Sequence, residues 1–189
     1  MTDDLLGLPE NLPAPEDDGA AAHLPGKRLP ALTLPATDGS EVTLSAIPGR
    51  VVLYLYPRTG KPGEAPLTPD WDLIPGARGC TPEACAFRDH HAELGALGAG
   101  VFGLSSQSTD YQREAADRLH LTFPLLSDPS FKLADALDLP TFEVAGHRLY
   151  KRLTMLVNDG VIEHVWYPVF PPDAHAAEVV DWLRARPAR

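Results

Sequence analysis

The sequence predicts an α/β domain with a central mixed β-sheet flanked by helices. Three observations carry that expectation. Val51-Val52-Leu53-Tyr54-Leu55-Tyr56 is a nearly continuous apolar run, as expected of a strand buried on both faces. Strand-like runs then alternate with helical stretches through the middle of the chain. Near the C-terminus, residues 152–157 and 161–166 flank Asn158-Asp159-Gly160, a hairpin signal that adds antiparallel strands to the sheet.

Bulk properties narrow the class. With 189 residues and 44% apolar content, the chain can bury the core of one domain. A net charge of -10 argues against nucleic acid and anionic membranes as partners, since both reward positive charge. No run of about 18 apolar residues occurs, so no spanning helix is expected. The first residues lack the basic start and apolar core of a secretory signal, and a cytoplasmic location is the default expectation. In a reducing compartment a close cysteine pair is more often catalytic or metal-binding than structural.

Residues 1–24 read as a flexible acidic N-terminal arm. Asp3, Asp4, Glu10, Glu16, Asp17 and Asp18 recur among prolines, without lysine or arginine. The domain proper is expected over 25–189. Leu32-Thr33-Leu34 and Val42-Thr43-Leu44 read as short strands around the Asp38-Gly39 turn. After the central strand, prolines and glycines break every periodicity from 57 to 79, with an inserted loop at about 58–78. Loops of that length are uncommon in compact domains and often functional. A helix is predicted over 81–97, with Thr81 as its cap and Pro82 at its first position. Ala84, Phe87, His91 and Leu94 fall on the face expected to meet the sheet. A strand at 101–105, a helix at 108–120, a strand near 123–126, a short helix at 131–137 and a closing helix at 174–185 complete the expected order.

Cys80 and Cys85 are the two cysteines of the chain. Cys80 stands where the predicted helix begins. Unsatisfied N–H groups and the positive end of the helix dipole favour a thiolate there, so its pKa is expected to fall. Cys85 is expected to be the more buried of the two. Five residues of helix separate the pair by about 7.5 Å of rise and about 140° of rotation. A disulfide needs Cα atoms within about 7 Å, so closing one is expected to unwind the first helical turn. Two inert core cysteines are the bland alternative. A zinc site would need four ligands, and His90, His91 and His120 offer no recognisable spacing. The Cys-x-x-Cys spacing of thioredoxin-type reductases is absent.

The stretch Gly79-Cys80-Thr81-Pro82-Glu83-Ala84-Cys85-Ala86-Phe87-Arg88-Asp89 resembles the peroxiredoxins of the bacterioferritin-comigratory, or Q, type. Val101-Phe102-Gly103-Leu104-Ser105, Phe123-Pro124-Leu125-Leu126-Ser127-Asp128 and Arg152-Leu153-Thr154 extend the likeness. The resemblance implies a thioredoxin-like fold and reduction of hydrogen peroxide and organic hydroperoxides. It implies thioredoxin or another dithiol protein as reductant, and neither cofactor nor metal. By position, Cys80 resembles the peroxidatic cysteine, Cys85 the resolving cysteine, and Arg152 the arginine that holds the thiolate and polarises the peroxide. Taken alone, Arg152 would read as a surface ion pair. Two positions depart from the family pattern: Leu73 replaces a proline and Ala77 a hydroxyl residue ahead of the peroxidatic cysteine. Thr59 and Thr81 are the candidates to supply that hydroxyl. Trp71, in the inserted loop, either covers the site or anchors the loop. The competing functions are a non-enzymatic redox sensor and a protein disulfide oxidoreductase. A monomer is expected, because the proposed disulfide lies within one chain.

Overall fold

A computed structural model describes residues 5–188. Its main sheet orders the strands Leu125–Ser127, Ala99–Ser105, Arg50–Leu55, Leu153–Asn158 and Val161–Trp166 from edge to edge, and two small hairpins lie outside it. The chain enters through the hairpin of β1 (Thr33–Pro35) and β2 (Glu41–Thr43). It then forms the central strand β3 (Arg50–Leu55), the helix α1 (Cys80–Ala96) and the strand β4 (Ala99–Ser105). Next come α2 (Thr109–Arg118), β5 (Leu125–Ser127) and α3 (Lys132–Leu137). The second hairpin, β6 (Thr141–Val144) with β7 (His147–Tyr150), precedes β8 (Leu153–Asn158), β9 (Val161–Trp166) and α4 (His175–Arg184).

β3 pairs parallel with β4 and antiparallel with β8, so the sheet is mixed at its centre. The alternation along β3 divides two cores. Val51, Leu53 and Leu55 face one with Leu133, Leu137 and Met155; Val52, Tyr54 and Tyr56 face the other with Phe87, Leu94 and Val180. Period-two geometry thus uses every residue of the apolar run. The β8–β9 turn is the expected hairpin. Asp159 and Gly160 both take positive φ, at 49° and 77°, as a tight turn of the right twist requires.

Three local expectations shift. The helix begins at Cys80 and is capped by Gly79 at φ 108°, not by Thr81, which lies inside its first turn. The β6–β7 hairpin was not foreseen. Its turn is Ala145-Gly146, and an alanine at positive φ is a poor turn signal in sequence. The acidic N-terminal segment, read from composition as a flexible arm, lies along the domain over its described part. Ala21 and Leu24 reach the core, and Asp18 bonds both Lys151 Nζ at 2.7 Å and Tyr167 Oη at 2.8 Å.

Candidate active site

The site forms where the inserted loop runs into α1. The loop is folded, not open. Trp71 sits in a single 3-10 turn (Trp71–Leu73) and packs with Ala77 and with Leu149 of β7. Trp71 also lines the cleft that exposes Cys80, so anchoring and covering are one role. The loop delivers the chain to Gly79, whose positive φ turns it sharply into the helix. A Cβ at Gly79 would collide with Pro172 Cγ and come within 3.1 Å of Leu8 Cδ2. Only glycine fits both the dihedral and the space.

Cys80 therefore stands at the helix N-terminus, 3% exposed. Arg152, immediately before β8 and also 3% exposed, reaches it from the sheet. Its Nη2 donates to Cys80 Sγ at 3.2 Å and to the Arg78 carbonyl oxygen at 3.2 Å. Its Nη1 donates to Glu83 Oε2, and Glu83 is fully buried. One guanidinium edge thus joins a thiol, a loop carbonyl and a carboxylate. The backbone N–H of Arg58, at the far side of the inserted loop, also faces the sulfur. Behind it, Tyr54 and Phe87 stack at 4.5 Å and close the site from the core.

The electrostatics correct one expectation. Burial pushes the Cys80 thiol up, and the charge of Glu83 pushes the same way. Arg152 and the Arg58 N–H pull it down but do not cancel burial. The sequence pointed to the helix end and could not show how deeply the sulfur is sealed. Burial opposes the Arg152 charge, but Cys80 and Glu83 outweigh it and hold the guanidinium above its ordinary value. Burial also pushes the Glu83 carboxyl up, against Arg152 and His175.

Of the three residues singled out in the sequence, Cys80 and Arg152 meet directly. Cys85 lies on the same helix beyond the first turn, free and half-buried. It is thus the more exposed thiol, the reverse of the expected burial. Both cysteines sit in continuous helix, so the disulfide geometry is not met in this conformation. Sequence reasoning treated Glu83 as an ordinary helix residue. Its spacing from Cys80 carried a signal, since i and i+3 share a helix face. A carboxylate there can hold the arginine that the thiol needs. Of the two hydroxyl candidates, Thr59 is engaged with Gln107, donating to its Oε1 from the backbone N–H at 2.8 Å and from the hydroxyl at 3.0 Å. Thr81 lines the Cys80 cleft. Among the described residues no cluster of three His, Cys, Asp or Glu side chains could hold a metal ion.

A sealed cysteine opening a helix, with a buried cation on its sulfur, defines a thiol-redox protein. Comparison with known proteins gives the family. The sequence matches Redoxin over residues 24–181. A Coxiella burnetii protein named as a bcp peroxiredoxin is 32% identical over 163 residues, covering 84% of this chain and 97% of its own. The chloroplastic peroxiredoxin Q of Oryza sativa subsp. japonica is 30% identical, covering 85% of this chain and 66% of its own. Among solved structures, peroxidoxin BcpB of Mycobacterium tuberculosis superposes with a TM-score of 0.68 at 30% identity, covering 87% of this chain and 99% of that one. Xanthomonas campestris peroxiredoxin Q gives 0.65 at 28%, covering 84% and 95%. The chain belongs to the Redoxin family and, within it, to the Q-type peroxiredoxins, thiol-dependent peroxidases with a thioredoxin-like fold.

Proposed function

We propose that this chain reduces hydrogen peroxide and organic hydroperoxides through Cys80, with Cys85 as resolving partner. The observation that carries the reading is the 3.2 Å contact from Arg152 Nη2 to Cys80 Sγ. A fixed guanidinium there stabilises the thiolate and can donate to the peroxide as charge develops on it. Glu83 fixes the guanidinium, so little reorganisation is needed during reaction. The Cys80 thiolate attacks the terminal peroxide oxygen. An S–O bond forms, the O–O bond breaks, and the departing alkoxide or hydroxide takes up a proton. The sulfur, oxidised by two electrons, is a sulfenic acid. Thr81 is the hydroxyl we assign to orient the peroxide, in place of the residue absent at Ala77.

Cys85 then attacks the sulfenic sulfur, and water leaves as the disulfide forms. The first turn of α1 must open for this, because the helix holds the two sulfurs apart. A dithiol protein such as thioredoxin restores both thiols by exchange. That cycle needs a reducing compartment, and the cytoplasm fits it. It needs one chain, and a monomer suffices.

The test is a free-thiol titration of reduced protein after one equivalent of hydrogen peroxide, repeated with Cys85→Ser. The expected result is loss of both thiols within seconds in the parent and a trapped Cys80 sulfenic acid in the variant. Thiols that survive peroxide for many minutes would overturn the reading.

A further inference from the structure

The cleft leading to Cys80 carries a charge opposite to that of the whole chain. The chain bears a net charge of -10, yet Arg58, Lys61 and Arg78 line the cleft against one carboxylate, Glu64. Arg78 is partly balanced by Asp72 at 3.5 Å, outside the cleft lining. Arg58 and Lys61 are held in place by an aromatic ring. Lys61 Nζ lies 4.2 Å from the Tyr111 ring centroid, and the Arg58 guanidinium carbon lies 5.1 Å from it. Tyr111 is itself fixed, its hydroxyl donating to Glu64 Oε2 at 2.9 Å. The two cations therefore converge on one ring at the mouth of the cleft instead of trailing into solvent. Leu5, Pro66, Leu67 and Trp71 give the same cleft an apolar wall.

Resting on the peroxidase reading, we propose that Arg58, Lys61 and Tyr111 form an anion subsite that selects hydroperoxides bearing a carboxylate. The carbon chain of such a substrate lies along the apolar wall. Its carboxylate meets Lys61 and Arg58 at the rim, and its hydroperoxide reaches Cys80 beside Thr81. Two cations placed on one side of a partly enclosed cleft attract an anion before it docks, so the preference acts on association and weakens with salt. Two of the three subsite residues, Arg58 and Lys61, and the apolar wall at Pro66, Leu67 and Trp71 come from the inserted loop. The loop is thus a specificity element as well as a cover.

The experiment compares second-order rate constants for sulfenic acid formation with 4-hydroperoxy-4-methylpentanoate and its methyl ester. The two differ at the carboxylate alone. At low ionic strength the acid is expected to react at least fivefold faster than the ester. Raising salt to about 0.5 M, where screening acts within a few ångströms, should bring the ratio towards one. In Lys61→Glu the ratio should fall to one or below. Equal rates for acid and ester in the parent, or a Lys61→Glu ratio matching the parent, would overturn the subsite. Failure to reduce either compound or hydrogen peroxide would overturn the peroxidase reading itself, which the hydrogen peroxide arm identifies separately.

Discussion

Replacing Gly79 by alanine tests whether the ordered first turn of α1 is the reactive state. Gly79 has φ 108°, a region that costs a residue with a Cβ about 1–2 kcal/mol. The added carbon also collides with Pro172 and approaches Leu8. Overpacking of that kind costs about 1–3 kcal/mol. The two sum to about 2–5 kcal/mol, borne by the turn that holds Cys80 against Arg152. Each 1.4 kcal/mol is a tenfold change in a local equilibrium, to about that precision. The opened form should therefore gain at least about tenfold in population relative to the ordered turn. Stopped-flow measurement of sulfenic acid formation is expected to show a slower peroxide rate, falling with the fraction of molecules that keep the ordered turn. Amide exchange at residues 80–84 should speed up in the reduced protein, while β3 and β4 keep their protection. A Gly79→Ala variant with parental exchange at those amides and parental peroxide rate would refute the argument, because neither strain nor collision would then be acting where the structure puts them.

Three further outcomes follow from the site. Arg152→Ala strands Glu83 as a buried unpaired carboxylate and should cost about 3–5 kcal/mol in urea unfolding. Arg152→Met with Glu83→Gln should recover most of that stability while peroxide reduction stays at least about 100-fold down. Because burial raises the Cys80 thiol, its thiolate fraction, and with it the peroxide rate, should climb from about pH 6 to pH 9. A flat profile across that range would contradict the sealed thiol. Asp18 is held down to about 2, chiefly by its hydrogen bond from Lys151 and then that from Tyr167. Its folded value lies below the unfolded one, so the stabilisation is present above about pH 4 and is lost as pH falls towards about 2. The pair is 35% and 44% exposed, so solvent screening keeps the effect under about 1 kcal/mol. Faster amide exchange at residues 15–24 in Asp18→Asn at pH 7, with the core unaffected, would register it.

The parts of the fold that were legible in sequence are those set by local periodicity. The β3 run, the alternation of strands and helices, and the Asn158-Asp159-Gly160 turn each state their conformation within a few residues. The β6–β7 hairpin did not, because Ala145 adopts positive φ under tertiary pressure that no neighbour in sequence reveals. In the site, the helix position of Cys80 and the identity of Arg152 were readable. Their convergence across 72 residues was carried by family likeness alone, and the structure supplies its geometry. Glu83 was missed because a carboxylate in a first helical turn has an ordinary explanation, stabilising the helix dipole. What singles it out is burial, and burial depends on the loop and sheet that cover it. The direction of the Cys80 shift failed for the same reason. A helix end is local, whereas desolvation belongs to the whole fold.

The contrast in exposure between the two thiols reverses a common diagnostic. Cys80 is 3% exposed while Cys85 is half-buried. Bulky alkylating reagents should therefore mark Cys85 first in the reduced protein, although the proposed function gives the chemistry to Cys80. A labelling survey that equates fastest modification with the nucleophile would then name Cys85 and pass over the proposed one. With Cys80 at 3% exposure and Cys85 half-buried, size alone would separate the two thiols, small oxidants reaching the first where bulky electrophiles stop at the second.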